Sequence, residues 1–66
     1  MNLTINGEPR DLPEPISVAA LLEQLDLAGK HVAVEVNREL VPKRNHEAHQ
    51  LSDGDRLEIV TLVGGG

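Results

Sequence analysis

Apolar and polar residues alternate from Met1 to Ile5, with Leu3 and Ile5 on one face and Asn2 and Thr4 on the other. A period of two marks a strand with one buried side. Asn6-Gly7 follows, a strong hairpin signal because both central residues of a type I′ turn need φ > 0. The return strand, Glu8 to Leu12, is short; Pro9 has no N–H to give a neighbour, which places this strand at an edge, and Pro13 and Pro15 end it. The period then lengthens. Val18, Leu21, Leu22 and Leu25 recur at i, i+3, i+4 and i+7, Ser17 stands where an N-cap belongs, and Ile16 and Leu21 make a hydrophobic staple. Gly29 is the expected C-terminal stop, with Lys30 beside the negative end of the helix dipole.

Alternation returns at His31 to Val36, which sets Val32, Val34 and Val36 together and His31, Ala33 and Glu35 opposite. Asn37 and Arg38 form a turn, Glu39 to Val41 a brief extended piece, and Lys43 to Gln50 a polar segment without a period; Leu51 is expected to anchor it to the core. Asp53-Gly54 is a second sharp turn. From Arg56 to Val63, Leu57, Ile59 and Thr61 alternate with Glu58, Val60 and Leu62. The order is hairpin, helix, strand, short strand, strand, with one amphipathic helix to cover one sheet face. That order predicts an α+β domain in the β-grasp arrangement, a mixed sheet of four to five strands on one main α-helix, with the first and last strands side by side at its centre. The domain is expected over 1–63, with 64–66 as a flexible glycine tail.

Composition narrows the chemistry. A chain of 66 residues is one small domain, able to bury roughly 60% of its unfolded surface and with no room for a deep catalytic cleft. It contains no Cys, Phe, Trp or Tyr, so the core must be aliphatic, disulfides and thiolate metal sites are excluded, and no ring is available to stack on a nucleic-acid base. A net charge of −5 repels phosphate backbones and anionic membranes and favours basic partners. No basic, then apolar, leader opens at Met1, and no aliphatic run approaches the roughly 20 residues of a membrane span. The expected compartment is the cytoplasm.

The candidate reactive group is the carboxylate of Gly66. The last strand runs into Gly64, Gly65 and Gly66, and residues without Cβ accept almost any backbone conformation; four extended residues from Val63 reach at most roughly 13–14 Å. A carboxylate resists nucleophilic attack until an oxygen becomes a better leaving group, so another enzyme must activate it. A frayed chain end is the plain alternative. Val60 and Leu62, with Ala33 and the adjoining Val63, form a candidate partner-binding patch on the uncovered sheet face. Other constellations favour structural roles. His46 and His49 lack metalloprotease spacing and are expected to be solvated, with no metal bound. Asp53 and Asp55 flank Gly54 as turn formers, and Lys43-Arg44 is too small a basic pair for a nucleic-acid footprint.

Asn6-Gly7, the helix Val18-Ala-Ala-Leu-Leu-Glu-Gln-Leu25, the run Val32-Ala-Val-Glu-Val-Asn-Arg-Glu-Leu-Val-Pro42, Asp53-Gly-Asp55, Leu57-Glu-Ile-Val60 and the ending Val63-Gly-Gly-Gly66 together resemble the thiamine-biosynthesis sulfur carrier family, over essentially the whole chain. The resemblance implies a ubiquitin-like β-grasp carrier, a co-substrate rather than an enzyme. Its terminal glycines map onto Gly65 and Gly66, and Gly64 is a spacer. The Gly66 carboxylate is expected to be adenylated by an ATP-dependent activating enzyme, converted to a thiocarboxylate, and used by thiazole synthase. ATP is consumed by the partner, and no cofactor is bound. Lacking Cys, the chain must draw its sulfur from a cysteine-desulfurase-type donor or another persulfide. The alternatives are the small subunit of molybdopterin synthase, a ubiquitin-like tag, and a noncovalent ubiquitin-like binding module.

Overall fold

The computed structural model describes residues 1–13 and 15–62. Five strands form one sheet: β1 (Asn2–Ile5), β2 (Glu8–Asp11), β3 (Val32–Val36), β4 (Glu39–Val41) and β5 (Arg56–Thr61); α1 spans Val18–Gln24 and a 3-10 turn Lys43–Asn45. The strand order is β2-β1-β5-β3-β4. β5 is central, parallel to β1 and antiparallel to β3. The first and last strands therefore lie side by side as expected, and β2, with its exposed Pro9, is an edge.

Both hairpins turn on two residues at positive φ: Asn6 at 51° and Gly7 at 83°, then Asn37 at 52° and Arg38 at 72°. The signs match type I′ geometry, whose twist suits the flanking strands. Each asparagine also braces β5. The Asn6 side-chain amide donates to the Ile59 carbonyl (3.0 Å) and accepts from the Ile59 N–H (2.7 Å). Asn37 accepts from the Arg56 N–H (3.0 Å) and donates to Asp55 (3.0 Å). The Asn6 side chain adds a rung beyond the last β1 pair, and the Asn37 side chain completes the rung at Arg56, whose carbonyl accepts from the Asn37 backbone N–H (2.7 Å).

A helix of seven residues is too short to persist alone, and its ends show how it persists here. Of the first four N–H groups, Val18 donates to the His49 carbonyl and Ala19 to the His46 carbonyl (each 2.9 Å), Ala20 to Ser17 Oγ (3.1 Å) and Leu21 to the Ser17 carbonyl (3.0 Å). No N-terminal donor is orphaned. The polar segment after β4 is thus a capping device: the residues that follow its 3-10 turn aim two carbonyls, of His46 and His49, at the start of α1. At the other end the helix stops five residues before the expected Gly29. Asp26 adopts φ 61°, its N–H donates to the Glu23 carbonyl (3.0 Å), and the Leu27 N–H reaches back to Leu22 (2.8 Å). These two bonds make a Schellman motif with Asp26 in the left-handed position. Gly29, at φ 83°, serves the next turn, closed from Lys30 N–H to the Leu27 carbonyl.

The core lies between α1 and one face of the sheet. Leu3, Ile5, Val34, Val36, Leu57 and Ile59 from the strands meet Val18, Leu21 and Leu22 from the helix, with Leu12, Val41 and Leu51 closing the margins. Leu51 is held as expected, its N–H donating to the Ile16 carbonyl (2.9 Å). Thr61, expected inward with Leu57 and Ile59, is exposed.

Candidate functional site

The face of the sheet away from α1 carries no second layer among the described residues. Strand parity puts Val60 and Leu62 of the β5 segment on it, with Glu58, and Ala33 and Glu35 of β3. Ala33 stands directly opposite Val60, and Glu35 opposite Glu58. Val60 and Leu62 are 55% and 53% exposed, whereas Ala33 is half-buried. The structure therefore brings together three of the four residues expected in the patch. Val63, together with Gly64, Gly65 and Gly66, lies outside the described residues.

The pattern also holds a fourth member that sequence analysis missed. Leu40, 65% exposed, pairs across from Glu35 and so shares this face. Its signal was available: Val41 faces the core, so its neighbour in a strand must face out. Aliphatic positions thus border an acidic row in which two carboxylates face each other. Like charges directly opposite one another are unfavourable, and the one ion pair among the described residues, the Met1 amino group with Asp11 at 3.5 Å, is not on that row. Arg56 shares this face by strand parity and, with Arg38, adjoins Glu35 and Glu58, so it is the exposed apolar strip that suits the face to a partner.

The other candidates resolve into structure. His46 is a correction: it is buried at 7% exposure, and its Nε2 donates to the Val41 carbonyl at 3.0 Å. A polar local sequence suggested solvent, but the ring is drawn in because its own carbonyl caps α1. His49 is half-buried and His31 exposed. Asp53 accepts from the Asn2 N–H (2.6 Å) and Asp55 from the Ser52 N–H (2.8 Å), so both carboxylates serve the turn around Gly54. Among the described residues no group of three or more His, Cys, Asp or Glu side chains could hold a metal ion, and no helix is long and apolar enough to cross a membrane. A groove of about 230 Å³ between α1 and the 3-10 segment, floored by Leu22, Leu27 and Val32, lies on the helix side of the sheet, away from Val60.

One helix on a five-stranded mixed sheet, with the last strand at its centre, defines a ubiquitin-like β-grasp protein. The ThiS family model matches residues 3–66, and the chain belongs to the ThiS family of sulfur carriers. It is 39% identical over 62 residues to the sulfur carrier protein ThiS of Thermus thermophilus, covering 94% of this chain and 95% of that one. The crystal structure of the thiamine biosynthesis protein ThiS from Geobacter metallireducens superposes with a TM-score of 0.85 at 38% identity, each chain covered completely. A thiazole synthase from Paramagnetospirillum magneticum is 47% identical over 66 residues, all of this chain but only 20% of that longer protein. Members of this family are carriers rather than enzymes, and the names of these relatives tie them to thiamine biosynthesis.

Proposed function

We propose that this protein carries sulfur for the thiazole of thiamine as a thiocarboxylate on Gly66. The observation that supports this most directly is the family match, which continues through residue 66. In the proposed cycle a carboxylate oxygen of Gly66 attacks the α-phosphorus of ATP on an activating enzyme, and pyrophosphate leaves. A persulfide sulfur on a partner then attacks the acyl adenylate and expels AMP, giving an acyl disulfide. A partner thiol cleaves its S–S bond, becoming a disulfide while the thiocarboxylate is released. Beyond that carboxylate oxygen the carrier contributes no sulfur nucleophile, since it contains no Cys. Gly64 and Gly65 act as the slim approach to the reacting carbonyl.

Thiazole synthase is the proposed acceptor. This reading is supported by the Paramagnetospirillum magneticum relative, in which a segment similar to the whole of this chain is part of a protein named thiazole synthase. The activating enzyme docks on the open face through Val60 and Leu62, next to Ala33, with Val63 continuing the chain toward the glycines. The test is removal of Gly66, or extension beyond it by one residue. Either variant should fold normally and accept no sulfur in the presence of ATP, activating enzyme and donor. A blocked terminus that is still charged would overturn the proposal.

A further inference from the structure

We infer that the β1 side of β5 at Thr61 is a strand-docking edge, where an extended segment of the activating enzyme pairs with the backbone of the carrier. The inference rests on the proposed carrier role and says how the partner grips the protein. Its starting point is the direction of the peptide groups along β5. The Asp55 and Leu57 carbonyls accept from the N–H groups of Thr4 and Asn6, and Ile59 bonds the Asn6 side chain through both its N–H and its carbonyl. Odd-numbered residues thus turn toward β1. Even-numbered residues turn toward β3, as the Leu62 N–H to the His31 carbonyl shows (2.8 Å). Thr61 therefore presents its N–H and carbonyl on the β1 side.

β1 does not reach it. The β1–β5 pairing consists of Thr4 with Arg56 and Ile5 with Leu57; the chain then reverses at Asn6–Gly7 into β2, which lies beyond β1. The Asn6 amide supplies one more rung, at Ile59, and the ladder ends one rung short of Thr61. A central strand thereby becomes an edge over its last residues. Natural edges are usually blunted by Lys, Pro or a bulge, yet residues 60–62 read Val-Thr-Leu, all exposed and two of them β-branched, which favours extended pairing.

On a strand edge, a donor and acceptor without a partner among the described residues are matched by another extended backbone. A second copy of this chain is disfavoured, since each carries a net charge of −5 and the Glu35–Glu58 row lies on the face beside the edge. A partner segment paired at Thr61 would be continuous with the docking face at Val60 and Leu62. Gly66 lies five residues further along, a reach of at most roughly 17–18 Å, so the same partner can guide the terminus into its active site.

Thr61→Pro and Thr61→Ala separate backbone from side chain. Pro removes an N–H that points to the vacant side and leaves the bonds from even-numbered residues to β3 intact, so the fold should persist. A semisynthetic protein with an ester in place of the Val60–Thr61 amide deletes the same donor and substitutes for Thr61→Pro if that variant misfolds. Affinity for the activating enzyme is measured without ATP, and charging with it. The donor-deleted protein should bind about tenfold more weakly, the scale of one interfacial hydrogen bond left unmade, and Thr61→Ala within about twofold of wild type. Equal affinity of the donor-deleted protein and wild type would overturn the inference, as would an equal loss in Thr61→Ala. A wild-type dimer dissolved by Thr61→Pro would assign the edge to a second copy and overturn it too. If wild-type protein binds the verified enzyme but is never charged, the carrier reading fails, while the binding comparison still decides the edge.

Discussion

Replacing Asn6 with Ala should cost this small domain most of its stability, although Asn6 is exposed and sits in a turn. Its side chain makes two bonds to Ile59, at 3.0 and 2.7 Å, in a part-buried setting beside an Ile59 side chain that is only 7% exposed. Truncation leaves the Ile59 N–H and carbonyl without protein partners. An unpaired buried group costs about 1–3 kcal/mol, and water admitted by the shortened side chain returns part of this, so about 2 kcal/mol is expected for the pair. Asn6 also holds φ 51°, where Ala is strained by about 1 kcal/mol. The two contributions separate in Asn6→Gly, which loses the bonds but not the conformational tolerance, apart from a modest gain in chain entropy on unfolding. Asn6→Ala should lose about 3 kcal/mol and Asn6→Gly about 2 kcal/mol, against a total of about 3–5 kcal/mol for a core of this size. Because the chain has no aromatic residue, the assay is urea unfolding followed by far-UV circular dichroism. A loss below about 0.5 kcal/mol in Asn6→Ala would refute the argument that the amide completes the β5 ladder.

Asp26→Gly should stabilise the protein by about 0.5–1 kcal/mol, since Gly occupies the left-handed end of α1 without strain and removes a negative charge from the negative helix end; an unchanged urea midpoint would speak against the Schellman assignment. His46→Ala should destabilise by about 2–4 kcal/mol, through a buried cavity and an unpaired Val41 carbonyl, whereas a solvated His46 would change nothing measurable. Val60→Asp or Leu62→Asp should leave the melting temperature near wild type and weaken binding to the activating enzyme at least tenfold; intact affinity in a folded variant would remove these residues from the docking face.

Local pattern was enough for every strand and for the edge position of β2, because alternation, Asn6-Gly7 and Pro9 each carry their own physical reason; the pairing of the termini at the sheet centre followed only from the β-grasp arrangement that the element order implies. It was not enough where a segment answers to a distant one. The polar stretch after Pro42 has no period of its own; its form comes from the unpaired N–H groups of Val18 and Ala19, which only the folded helix places beside His46 and His49. The helix end was misplaced at Gly29 because Gly is the favoured residue for that role, and Asp26 takes it at a small conformational cost. Asn6 and Asn37 were legible as turn residues, but their bonds to Ile59 and Arg56 exist only once β5 lies between the hairpins. At the site, period two exposed Val60 and Leu62, and the same parity argument applied to Val41 would have added Leu40.

The most direct test of the carrier account is the intact mass of the protein after incubation with ATP, a verified activating enzyme and a sulfur donor, with fragmentation of the C-terminal peptide. Exchange of oxygen for sulfur must be located there, because oxidation of Met1 adds nearly the same mass. The account predicts an ATP-dependent increment confined to Gly66 and discharged by thiazole synthase with its remaining substrates. A terminus that stays unmodified with active partners, or an increment found elsewhere in the chain, would contradict it.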